Sequence, residues 1–140
     1  MSDPTRPAPI LTPDNAFFWE ACERGELVAQ RCGACGALSH PPRPMCPHCH
    51  SLERETARLS GRGEVYSWIV PRHPAPIGFD EAPVVALIQL DEGLRLVSNL
   101  VGVPIAEVRN GMRVEVAFEP TAGGRAVPVF RQSAGARSVP

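Results

Sequence analysis

The sequence predicts a mainly β protein: an N-terminal helix, a small cysteine-held ribbon and a C-terminal five-stranded barrel. Three observations lead there. Two Cys-x-x-Cys pairs, Cys32/Cys35 and Cys46/Cys49, stand ten residues apart. Beyond residue 61 apolar residues recur with period two or in short runs bounded by Gly and Pro. The 140 residues hold 16 prolines and 12 glycines against 5 Phe, 2 Trp and 1 Tyr, which favours short strands and turns over long helices. A chain this long makes one ordinary domain or two very small ones. It divides into a flexible N-terminus (1–11), a docking helix (12–26), a zinc ribbon (27–60), a barrel (61–132) and a flexible tail (133–140).

The lead-in carries Pro4, Pro7 and Pro9 and reads as extended and mobile. Thr12-Pro13-Asp14 reads as a helix start: Thr caps, Pro suits the first helical position, and Asp complements the positive end. Phe17, Phe18, Ala21 and Cys22 form an apolar face at helical spacing, and Gly25 terminates it. So short a helix must dock on something. Its own domain is one choice. The other is a partner subunit engaged by Phe17, Phe18 and Trp19, because three aromatic rings in a row cover more than one helix face. Cys22 reads as a small packing residue.

Leu27–Arg31 reads as a strand entering the first Cys pair, and Glu53–Leu59 carries the chain out of the ribbon. Each Cys-x-x-Cys turn presents two thiolates to one side of a metal. Cys32, Cys35, Cys46 and Cys49 together complete a closed tetrahedral sulfur site. Zinc is the first choice of ion and iron the second. Disulfides or buried free thiols are the alternatives. Residues 1–9 are polar and Pro-rich with no apolar signal segment, which predicts a reducing cytoplasmic setting where paired cysteines hold metal. A closed site leaves no position for water or substrate, so its role is structural. His40, His48 and His50 read as flanking side chains. His50 follows the second pair at a place where glycine would ease a turn with positive φ.

Ser60-Gly61-Arg62-Gly63 marks the domain boundary. Val65, Ser67 and Ile69 then alternate with Glu64, Tyr66 and Trp68. Residues 71–83 form a Pro-rich loop. Pro83–Leu90 reads as a strand buried on both faces, and Asp91-Glu92-Gly93 turns it into Leu94–Leu100. A helical turn over Pro104–Arg109 precedes a one-sided strand with Met112, Val114, Val116 and Phe118 on its apolar face. Val127–Arg131 is the last strand. Five such strands, with a helical turn between the third and fourth plugging one end, suggest an OB-type barrel.

The order of parts resembles the family of zinc-ribbon/OB-fold acyl-CoA-associated proteins, formerly a domain of unknown function. Phe17-Phe18-Trp19, the two Cys pairs, the segment Gly61-Arg62-Gly63-Glu64-Val65-Tyr66-Ser67-Trp68, and Gly111-Met112-Arg113-Val114-Glu115-Val116 carry the resemblance. It implies a rubredoxin-like ribbon with zinc on Cys32, Cys35, Cys46 and Cys49. It also implies a noncatalytic accessory subunit, with its barrel near an acyl-CoA path, in hetero-oligomers with thiolase-like, aldolase or MaoC-like hydratase enzymes of lipid metabolism. His50 departs from the glycine common after such a knuckle.

No nucleophile elbow, P-loop or dinucleotide fingerprint is present. On the accessory-subunit reading, Arg72, His73 and Phe79 are the candidate acyl-CoA contacts: Arg for phosphate, Phe for the acyl or adenine portion. A second reading is a single-stranded nucleic-acid binder stacking bases on Tyr66 and Trp68. The formal net charge of −1, with 14 arginines and no lysine scattered among 15 acids, stands against it. A third is a rubredoxin-like iron electron carrier. No apolar run is long enough to span a membrane.

Overall fold

The computed structural model describes residues 5–133. Its elements run α1 (Ala16–Glu23), β1 (Val28–Cys32), β2 (Leu38–Ser39), β3 (Arg54–Arg58), β4 (Arg62–Ile69), β5 (Val84–Leu90), β6 (Arg95–Leu100), a 3-10 turn (Ile105–Glu107), β7 (Arg113–Pro120) and β8 (Ala126–Gln132). The first three strands make a small sheet in the order β2-β1-β3, and the other five close into a barrel in the order β4-β5-β6-β8-β7. β6 and β8 run parallel, and the other barrel neighbours are antiparallel. This is the OB arrangement predicted from the strand pattern. No helix among the described residues is long and apolar enough to cross a membrane.

The helix begins later than predicted. Thr12–Asn15 makes its own turn, in which Asn15 Oδ1 accepts from Thr12 N–H at 2.7 Å. Asn15 therefore stands at the N-cap with its side chain turned back rather than onto the helix. The other end stops as expected. Gly25, at φ +76°, donates to Cys22 O and Glu26 N–H to Ala21 O, the double closure that a left-handed residue permits.

Phe18, Ala21 and Cys22 are buried against the barrel and the ribbon. Phe17 and Trp19 pack partly against the same core. The core is continuous: Leu27, Val28, Ala29 and Leu59 join Val65, Ile88 and Phe130 in one cluster with the helix residues. Ser60–Gly63 thus separates two sheets but not two cores. An ion pair between Glu23 and Arg125 fixes the helix to the β7–β8 turn.

Three expectations change in the barrel. β5 is not buried on both faces; alternate residues are fully buried and the rest half-buried, because one barrel wall faces outward. The 3-10 turn buries none of its own residues; Val108 and Met112 just beyond it enter the core instead. In β4 the pairing skips a residue: Val65 faces Ile88 but Ser67 faces Leu87, so Tyr66 is the extra residue of a bulge. The inward face passes from Gly63 and Val65 to Trp68, opposite the buried Ala86. Tyr66 is left outside, 49% exposed, with the Arg95 guanidinium 3.9 Å from its ring centroid. Tyr66 and Trp68 therefore share no stacking face.

Gly63 explains the glycine at the head of β4. A Cβ there would lie 2.4 Å from Gln89 O, so only glycine lets β4 pass β5 this closely.

The lead-in from residue 5 forms no helix or strand, and residues 5–7 are not free: they are bonded to the barrel through Thr5 and Arg6. Residues 1–4 and the tail from residue 134 lie outside the described residues.

Candidate metal centre and the groove beside it

β1 ends on Cys32, and the chain folds back at once, with Cys32 N–H donating to Ala37 O at 2.9 Å. The second pair repeats this closure, Cys46 N–H donating to Ser51 O at 2.9 Å. Each turn aims backbone N–H groups at its first sulfur. Ala34 and Cys35 donate to Cys32 Sγ at 3.3 and 3.4 Å, and His48 donates to Cys46 Sγ at 3.4 Å. Each knuckle closes on a left-handed residue. Gly36 donates to Cys32 O and His50 to Cys46 O, both at 2.9 Å, with φ of +79° and +64°. His50 thus holds the conformation that its position predicted, at the steric cost a β-carbon brings there.

The four sulfurs lie within 4.8 Å of one another. Cys32 and Cys49 Sγ are 3.5 Å apart, and Cys35 and Cys46 Sγ 3.7 Å. A zinc–sulfur bond of about 2.3 Å implies tetrahedron edges of about 3.8 Å, so the donor set fits a four-coordinate ion. The N–H groups favour the thiolate that a metal requires. The Cys35 N–H chiefly holds the Cys32 thiol down to about 6, and the Cys49 N–H lowers that of Cys46. An ion held by Cys32, Cys35, Cys46 and Cys49 would lock the ends of the ribbon and offer no open position. Cys22 is a different case: burial pushes its thiol up to about 12, leaving it neutral and a poor nucleophile.

His48 and His50 flank the centre, exposed. His40 does not. It packs its ring 5.2 Å from that of Phe18, and burial lowers its pKa. Beside it opens a cavity of about 420 Å³, walled by Phe18 and Trp19 of α1, Pro42 of the ribbon, and Ser98 and Pro128 of the barrel. Trp19 Nε1 is buried with no hydrogen-bond partner among the described residues. A second cavity, of about 410 Å³, lies beyond Phe79 and Asn99.

The predicted docking triplet is divided by this packing. Phe18 is 4% exposed and belongs to the core, while Phe17 and Trp19 keep part of their surface. The loop candidates are divided as well. Arg72 and His73 are exposed, with no hydrogen bond or ion pair among the described residues. Phe79 is half-buried between the two cavities, one ring face already covered by Arg6. Arg6, Asn99 and Glu119 were missed. They lie far apart in sequence and carry no motif; only barrel closure brings them together.

Two family models match the chain: "ChsH2, rubredoxin-like zinc ribbon domain" over residues 19–53 and "ChsH2, C-terminal OB-fold domain" over residues 56–119. A "DUF35 domain-containing scaffold protein" of Methanocaldococcus jannaschii is 41% identical over 99 residues, which is 69% of this chain and 70% of that protein. The chain belongs to the ChsH2-like DUF35 family. A solved structure described as "Ltp2-ChsH2(DUF35) aldolase" contains a family member 45% identical to this chain, with a TM-score of 0.81, covering 89% of this chain and 98% of that one. The "Probable enoyl-CoA hydratase alpha subunit" of Thermomonospora curvata is 46% identical over 126 residues; they make up 90% of this chain but only 40% of that protein. Zinc ribbon and OB barrel are thus features this chain shares with its family.

Proposed function

We propose that this DUF35-family chain is a noncatalytic accessory subunit of an enzyme acting on acyl-CoA, of the hydratase, aldolase or thiolase-like kind. The observation that carries the reading is end-to-end similarity, at 45% identity, to a chain from a structure described as an aldolase with two named components, the second being the name its family models bear. The hydratase name of the Thermomonospora curvata relative supports the same class of partner. Zinc on the four cysteines shapes the ribbon, and the half-exposed Phe17 and Trp19 are the surfaces left on α1 for docking. Arg72, exposed in the loop beside the barrel, is the candidate contact for a CoA phosphate on this reading, with His73 adjoining it.

Affinity purification from the native host, with mass identification of co-purifying proteins, tests the reading. Recovery of an acyl-CoA hydratase, aldolase or thiolase-like enzyme supports it; recovery of nucleic acid alone overturns it. Against the nucleic-acid alternative, the β4 bulge puts Tyr66 and Trp68 on opposite faces, and the net charge is −1.

A further inference from the structure

Residues 5–7 lie along the barrel as a strap. Thr5 Oγ1 donates to Gly78 O at 2.8 Å, and Ala122 N–H donates to Arg6 O at 2.8 Å. The Arg6 guanidinium donates to Asn99 Oδ1 and, at 3.0 Å, to Glu119 Oε1; its carbon sits 4.9 Å from the Phe79 ring centroid. The Arg6 side chain is only 16% exposed. Gly78, at φ +92°, makes the approach possible: a Cβ there would lie 2.3 Å from Thr5 O and 2.9 Å from Pro7 Cδ.

Taken without the strap, the barrel side of these contacts is a receptor. It offers a backbone acceptor at Gly78, a backbone donor at Ala122, and a carboxylate, an amide oxygen and an aromatic face converging on one guanidinium. The Ala122 N–H bond holds a peptide carbonyl without regard to sequence, the Gly78 carbonyl takes a side-chain hydroxyl, and the carboxylate and ring select arginine. The strap is also a partition, since Arg6, Phe79 and Asn99 line both the 420 Å³ and the 410 Å³ cavities. Lifting Arg6 joins them into one groove.

We propose that this groove is a binding site for an extended, arginine-bearing peptide segment. The chain's own Thr5–Pro7 fills it in cis, and a segment of the same chemistry from a second protein fills it by displacing the strap. The cis segment is favoured by its tether, which supplies an effective concentration of the order of millimolar. A trans segment succeeds only by making further contacts along the joined groove.

The test uses the full chain, isotopically labelled for NMR, as wild type and as Arg6→Glu. The substitution sets a carboxylate against Glu119 and removes the cation from Phe79, which releases the strap. The probe is a synthetic peptide with the sequence of residues 5–9 and blocked ends. In the Arg6→Glu chain it should shift the Gly78, Asn99 and Ala122 amides, and it should bind wild type at least about tenfold more weakly. The same peptide with alanine for arginine should leave them unmoved. Equal shifts in both chains, no shift in the variant, or equal binding of the alanine peptide would overturn the proposal. Should Arg6→Glu disturb amides throughout the barrel, Arg6→Ala takes its place with the same readings.

Discussion

Replacing Phe18 with alanine separates two roles for the helix. Phe18 is 4% exposed, meets Trp19 edge-on with ring centroids 4.9 Å apart, and contacts His40. It thereby ties α1 to the ribbon and to the barrel core. Truncating a buried phenylalanine costs about 3–5 kcal/mol in lost transfer and cavity terms, against a total stability of roughly 5–15 kcal/mol for a domain. Urea titration at fixed, saturating zinc is the assay, because bound metal adds to apparent stability. Phe18→Ala should lower the unfolding free energy by about 3–5 kcal/mol, while the half-buried Phe17→Ala should cost only about 1 kcal/mol. A Phe18→Ala chain within about 1 kcal/mol of wild type that has lost its partner would show Phe18 to be a docking ring. The packing assignment would then be wrong.

Other outcomes follow from the centre and the core. Elemental analysis should find one zinc per wild-type chain and none in Cys35→Ser, with loss of ribbon structure, since structural zinc in small folds contributes about 10–16 kcal/mol; a normally folded chain free of metal would refute the ligand assignment. Burial lowers the pKa of His40 in the folded state, so its contribution to stability is full above the unfolded value of about 6.5 and is lost as pH falls below it toward the folded value. Denaturation at pH 7.5 and 5.5 should show this loss in wild type and a smaller one in His40→Phe. Gly63→Ala puts a carbon 2.4 Å from Gln89 O, and the forced shift of β4 should cost about 1–3 kcal/mol by thermal unfolding.

The metal centre was legible because its chemistry is local. Two Cys pairs dictate their own turns, and even the left-handed conformation of His50 was implied by its place after Cys49. The barrel order was legible from period-two runs in β4 and β7 and from the turn residues between strands. What could not be read depends on register. The β4 bulge reverses which residues face inward, and nothing near Val65 and Ser67 announces it. The strap could not be read either. Arg6 sits in a Pro-rich stretch whose composition signals an unstructured arm, and its partners Asn99 and Glu119 come from strands β6 and β7. Phe18 looked available because three aromatic residues in a row exceed one helix face; the barrel and His40 enclose more of the helix than periodicity alone indicates.

The seamless interior running from Phe18 through Leu59 to Phe130 also bears on how such a unit travels between genes. Severed at Ser60, each half would carry a raw greasy flank: the helix with Phe18, Ala21 and Cys22 laid bare, the barrel with its β8 side stripped of cover. Recombination can therefore pass it on only whole, alone or grafted onto a longer polypeptide.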